Sequence, residues 1–348
     1  MKKDSEMSND AANADLTPIE PTRVRRADRL LASLAMILVV ACAASQLACD
    51  SGAADSSAAP TAEASAAAQD GEGAEGEEAA AADDAVEADR LVVLGGAIAE
   101  IAFALGAGDQ VVAADKSAQY PPEATEVASL DYYRMTSVEA VLSNRPDRVL
   151  ATEGVGPAEV VDQLKGAGVE VTVFEEPTDV ASARERILKV GEALGRSDEA
   201  EALVAELDAE LEKAEAAASQ VDEGLRAIFV YARGQGTLLI GGRGTSAATA
   251  IELAGANLVT EYEDFRPMSA EGLIAAAPDV VVMTEKGLKS LGGAEKVWEL
   301  PGMAETPAAA TGQVVAIDDL KLLGYGPRLG EAVSELSAGF SNLERAEK

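Results

Sequence analysis

From Arg90 onward, short β-branched runs alternate with longer amphipathic stretches, the pattern of βαβ units built on parallel sheets. The predicted strands are Leu91 to Leu94, Val111 to Ala114, Arg148 to Ala151, Val169 to Phe174, Ala227 to Tyr231, Thr237 to Ile240, Val280 to Thr284 and Val314 to Ile317. Helices are expected between most of them. The rhythm breaks once. Between Asp179 and Gln220 there is no strand signal, only Ala, Glu, Leu, Arg and Lys with few breakers beyond Gly191 and Gly195, which predicts one long or once-interrupted helix. Its apolar spacing is not sustained over enough heptads for a coiled coil. This helix separates two unequal but similar halves.

The halves share an internal echo. Ser137, Glu139, Pro146, Asp147, Thr152 and Glu153 recur as Ser269, Glu271, Pro278, Asp279, Thr284 and Glu285 with identical spacing inside each set. Two matching units of helix, Pro-Asp turn and strand predict two lobes of related fold.

The residues before Arg90 read differently. The cluster Arg23, Arg25, Arg26 and Arg29 precedes an apolar run from Leu30 to Ala44 that ends in small residues and cysteines, the pattern of a secretory signal. An uncleaved helix over Leu30 to Ala48 is the alternative, since about 20 residues just span a bilayer. The chain's 2 cysteines, Cys42 and Cys49, both fall here, so the remainder is expected to hold no disulfide and no thiolate metal site. Either could carry the lipid left after signal cleavage. Val39, Val40 and Ala41 suit the lipobox before Cys42, whereas Gln46 suits it less before Cys49. From Asp50 to Asp89 the chain is almost wholly Ala, Glu, Asp, Ser and Gly, which predicts a disordered, self-repelling tether. The expected organisation is a signal segment at 1–49, an acidic linker at 50–89, an N-terminal α/β lobe at 90–178, a connecting helix at 179–221 and a C-terminal α/β lobe at 222–348.

Charge removes one function class. With 28 Lys and Arg against 61 Asp and Glu, the net charge of -33 would repel a polyanion, so no nucleic-acid partner is expected. The count of 0 His removes others, because neither a Ser-His-Asp triad, a His-metal cluster nor an imidazole haem ligand can be built. Gly95 and Gly96 after the first strand lack the G-x-G-x-x-G spacing of a dinucleotide loop. No catalytic residues are assigned, and an enzyme is not expected.

Four segments carry more specific information: Gly95 to Gly106; Asp131-Tyr132-Tyr133-Arg134-Met135; Tyr231-Ala232-Arg233-Gly234 through Gly241-Gly242-Arg243-Gly244-Thr245; and Leu323-Gly324-Tyr325-Gly326-Pro327-Arg328. With the lipoprotein signal and the long central helix, they resemble the ABC-importer substrate-binding proteins for haem, cobalamin and ferric siderophores, and among these the haem-binding members. The resemblance covers about Arg90 to Leu343. It implies two Rossmann-like α/β lobes joined by a long backbone helix, with haem held in the cleft between them and no catalysis. It implies that the Tyr of a Tyr-x-Arg setting is the axial ligand of ferric haem, which falls on Tyr132 with Arg134, and Tyr133 is the second choice. Phenolate is a hard ligand suited to Fe(III), free tyrosine titrates near about 10, and a neighbouring guanidinium favours the anion. Arg233, Arg243 and Arg328 are candidates for the haem propionates or for supporting the ligand tyrosine, because Arg matches carboxylates bidentately. Tyr325 and Tyr231 are candidate cleft aromatics.

The resemblance further implies that one glutamate on each lobe docks on the membrane permease, positions matched by Glu139 and Glu271. The implied partners are an ABC permease and its ATPase, the implied state is a monomer, and the implied location is the periplasmic side of a membrane, held by the lipid anchor. The same fold binding cobalamin or a ferric siderophore is the nearest alternative. An exported α/β enzyme or a sensor domain is a more distant one.

Overall fold

The computed structural model describes residues 89–234 and 238–343. The expected signal segment, Cys42, Cys49 and nearly all of the expected acidic linker lie outside the described residues. Among the described residues no helix is long and apolar enough to cross a membrane.

The first half forms β1 (Leu91–Leu94), β2 (Val111–Asp115), β3 (Ala128–Leu130), β4 (Arg148–Thr152) and β5 (Glu170–Phe174), with helices α1 (Gly96–Ala104), α2 (Val138–Leu142) and α3 (Val160–Gly166). Its sheet runs β3-β2-β1-β4-β5, every pairing parallel. Strand β1 is buried at all four positions, as expected of a parallel strand covered on both faces, and its sequence is accordingly an unbroken apolar run.

The expected connecting helix takes its interrupted form, α4 (Val180–Leu194) and α5 (Ser197–Ala218). Asp179 and Ser182 close a capping box at the start of α4, and Gly195, at φ 68°, ends it in the left-handed conformation that glycine adopts without strain.

The second half contains β6 (Arg226–Ala232), β7 (Leu238–Gly241), β8 (Asn257–Leu258), β9 (Phe265–Arg266), β10 (Val280–Thr284) and β11 (Val314–Ile317). Its helices are α6 (Ser246–Leu253), α7 (Ala270–Ala276), α8 (Glu285–Leu291), α9 (Pro307–Thr311), α10 (Asp319–Leu323) and α11 (Leu329–Ser341). The sheet order is β11-β10-β6-β7-β9, parallel through β6 and antiparallel beyond it, with β8 pairing alongside β6.

The echo in sequence is an echo in structure. Ser137 and Ser269 cap α2 and α7 through their side chains. Asp147 accepts a hydrogen bond from the Arg90 backbone N–H at 2.9 Å, and Asp279 accepts one from that of Arg226 at 3.0 Å, so each Pro-Asp turn pins the first strand of its half. The residues before the two prolines, Arg145 and Ala277, both have positive φ, at 48° and 41°.

One apolar core runs without a break from the first sheet through α4, α5 and α11 into the second, joining Leu91, Ile98, Ile187, Leu207, Phe229 and Leu336. The outer face of each sheet has its own smaller core. Gly330 permits the close approach of α11 to α5, where an added Cβ would stand 2.5 Å from that of Glu210.

Candidate ligand-binding cleft

A cleft of about 370 Å³ opens where α1 begins, between elements of both halves. Its volume lies within the range of small-molecule sites. On the first half, Gly95 turns the chain from β1 into α1 at φ 132°, and a Cβ there would meet the Thr152 side chain at 2.8 Å. Asp115, 2% exposed at the end of β2, organises this wall. Its carboxylate accepts from the backbone N–H groups of Gly95 (2.7 Å), Ser117 (3.0 Å) and Tyr133 (3.0 Å), and from the Ser117 hydroxyl (2.9 Å). One buried carboxyl group thereby ties three loops, including the one that carries the tyrosine pair.

That pair is divided by environment. Tyr132 is 42% exposed and lines the cleft, whereas Tyr133 is buried at 7%, with ring centroids 4.6 Å apart. Burial pushes the Tyr133 phenol well above its ordinary value, and Tyr132 and Glu176 push it further, with Arg134 opposing. Tyr133 is therefore a neutral phenol. The Arg134 guanidinium lies 4.9 Å from the Tyr133 ring and interacts with both phenols. Gly154, at φ 75°, leaves room for it, since a Cβ there would stand 2.5 Å from Nη1 of Arg134.

The opposite wall is built from Tyr231, Arg233, Lys286 and Asp319, with Leu320 and Leu323 supplying apolar surface. Arg233 lies 4.5 Å over the Tyr231 ring and pairs with Asp319 at 2.8 Å, and Asp319 also accepts from the Lys286 backbone N–H at 3.0 Å. Lys286 Nζ reaches across to Gln119 Oε1 at 2.7 Å, and Lys116 on the first wall pairs with Asp131, the residue before Tyr132, at 2.7 Å. Arg186, on α4, reaches the cleft from behind.

Three expected site residues are placed elsewhere. Arg328 donates from Nε and Nη2 to both carboxylate oxygens of Glu100, each at 2.9 Å, and stacks 3.6 Å from the Tyr120 ring. Its guanidinium is engaged by the protein's own carboxylate, and it does not line the cleft. Tyr325 is 1% exposed inside the shared core, with its hydroxyl buried without a hydrogen-bond partner, so it is a core residue rather than a cleft aromatic. Arg243 is exposed beyond the end of β7, its backbone forming an isolated β-bridge with that of Glu263, and is not part of the cleft wall. The cleft thus brings together Tyr132, Tyr133, Tyr231 and Arg233 from the expected set, with Arg134 just behind the pair.

Sequence reasoning passed over Lys116, Asp115, Glu176, Arg186, Lys286 and Asp319. Only Asp115 had a legible signal: an acid ending an otherwise apolar strand. Glu139 and Glu271 are exposed in the first turns of α2 and α7. Hydrogen bonds from its own backbone N–H and from Ser269 hold the Glu271 carboxyl below its ordinary value. Among the described residues no group of three or more His, Cys, Asp or Glu is arranged to hold a metal ion.

Two α/β halves that share a core and face one cleft define a binding protein of the two-lobed kind. The chain belongs to the periplasmic binding protein family, whose model matches residues 91–320. Among solved structures it resembles the periplasmic heme-binding protein RhuT from Roseiflexus sp. RS-1 in apo form, at 37% identity and a TM-score of 0.71 over 73% of this chain and 98% of that one. It also resembles the periplasmic heme-binding protein BhuT in complex with two hemes, at 39% identity and a TM-score of 0.69 over 73% and 98%. Curated relatives include the uncharacterized ABC transporter substrate-binding lipoprotein YvrC of Bacillus subtilis, 28% identical over 72% of this chain and 79% of its own length. A cobalamin-binding protein of Halobacterium salinarum is 29% identical over 74% and 70%.

Proposed function

We propose that this chain is the exported substrate-binding component of an ABC importer and that its cleft takes ferric haem, with Tyr132 as the axial ligand to iron. The observation that carries the reading is the division of the tyrosine pair: Tyr132 presents its phenol to the cleft beside Arg134, and Tyr133 is buried and held neutral. A tyrosine phenolate is the hard anionic ligand that Fe(III) prefers. The cleft also suits an anionic ligand, since Lys116, Arg186, Arg233 and Lys286 line it against Glu176 and Asp319, in a chain whose net charge is -33. The heme-binding structural neighbours, at 37% and 39% identity, support the same ligand. Glu139 and Glu271 are the docking carboxylates for the permease in this reading, one on each half, and Cys42 or Cys49 carries the lipid.

Cobalamin is the second reading, favoured by the relative from Halobacterium salinarum. An optical titration with hemin separates the two. The expected result is a saturable spectrum of tyrosine-ligated ferric haem that is lost in Tyr132→Ala and kept in Tyr133→Phe. No spectral change in the unmutated protein, together with saturable binding of cobalamin, would overturn the haem reading.

A further inference from the structure

Arg186 is a buried cation without a counter-ion. It is 3% exposed, and its hydrogen bonds run from Nη2 to the backbone carbonyls of Gly324 and Tyr325, the latter at 2.8 Å. Its Nε–H is buried with no partner, and among the described residues no carboxylate stands within ion-pair distance of it. Of the two acids that act on it through space, Glu100 is held by Arg328, and Glu176 accepts from the Thr152 hydroxyl at 2.9 Å without pairing with Arg186. Burial lowers the guanidinium to about 10, with Glu176 and Glu100 opposing. Buried charges in native proteins are normally paired, and a buried N–H normally finds an acceptor. Arg186 lines the cleft beside Glu176 and Gly324, so the missing acceptor can arrive only from there or from solvent.

We propose that Arg186 is a carboxylate-receiving site at the back of the cleft, filled by an acid group of the bound ligand. The inference rests on the haem reading and deepens it: of the two propionates of haem, one is directed inward to the α4 guanidinium. Arginine suits this task, because its planar donors remain charged even when desolvated and match a carboxylate in geometry. Arg186 also joins α4 to the loop carrying Gly324 and Tyr325, so the acid group would be read at a junction between the two halves.

The test compares hemin with its dimethyl ester, and iron-free protoporphyrin IX with its dimethyl ester, on the full chain and on Arg186→Met and Arg186→Lys. The iron-free pair is followed by porphyrin fluorescence and reports binding without the axial bond. Esterification should weaken binding of both porphyrins to the unmutated protein about 10- to 100-fold, the span of a charge-assisted hydrogen bond. Arg186→Met should lose most of that discrimination while retaining the tyrosine-ligated hemin spectrum at higher concentration, and Arg186→Lys should fall between. Equal affinity for acid and ester in the unmutated protein, or undiminished discrimination in Arg186→Met, overturns the inference and leaves the haem reading standing. Absence of the hemin spectrum in the unmutated protein overturns the haem reading itself. If Arg186→Met does not fold, the acid-to-ester ratio of Arg186→Lys against the unmutated protein decides.

Discussion

The ion pair between Glu100 on α1 and Arg328 before α11 spans 228 residues of sequence and joins the two halves. Its side chains are only 3% and 11% exposed, so neither charge has water to fall back on if the other is removed. Arg328→Met should therefore cost about 3–5 kcal/mol, the penalty of leaving a buried carboxylate unpaired. For a folded part of this size that corresponds to a fall in Tm of roughly 6–20 °C. The assay is thermal unfolding of Arg328→Met, Glu100→Leu and the double variant that combines them. The double variant should be more stable than Arg328→Met alone, because it strands no charge. The effect also carries a pH signature. Burial already raises the Glu100 carboxyl above its ordinary value against the pull of Arg328, and removing Arg328 raises it further. A carboxyl raised in the folded state has its full stabilising effect below the unfolded value and loses it as pH rises. The deficit of Arg328→Met is thus largest at neutral pH and shrinks as pH falls towards 4.5. A loss under about 1 kcal/mol, or a double variant as damaged as the sum of the singles, would refute the reasoning.

Asp115→Asn should destabilise the protein by about 1–3 kcal/mol and weaken hemin binding, because an amide cannot accept from all of the N–H groups of Gly95, Ser117 and Tyr133; denaturant melts and a hemin titration read the two effects. Gly154→Ala places a methyl where Nη1 of Arg134 now lies, so hemin affinity should drop with little change in the Soret position, as Tyr132 itself is untouched. Burial raises the Tyr325 phenol to about 12, with Thr249 near enough to offset part of the shift. Its contribution is complete below the ordinary 10.0 and is lost as pH rises towards 12, so the unmutated protein should lose more stability over that interval than Tyr325→Phe in urea melts.

The main strands were legible because parallel strands buried on both faces leave unbroken apolar runs, as in β1 and β10. Strands β3, β8 and β9 were not, being two or three residues long and set by pairing with neighbours rather than by any period of their own. The Tyr132 loop could be found through its Tyr-x-Arg spacing. Arg328 and Tyr325 were misplaced for a physical reason: residue type does not tell whether an arginine will meet a ligand's carboxylate or one of the protein's own, 228 residues away. Arg186 escaped notice because its partners are backbone carbonyls, which every residue has.

The shared core and the Glu100–Arg328 joint bear on how long a captured molecule stays. Separating the halves would expose part of the continuous apolar core as well as break the buried Glu100–Arg328 pair, so an opened state is a minor one. A ligand that needs such an opening to leave has its residence time lengthened accordingly. Unloading is then slow in free solution and becomes fast only on a partner that prises the halves apart, so the timing of release belongs to the encounter and not to the affinity of the cleft.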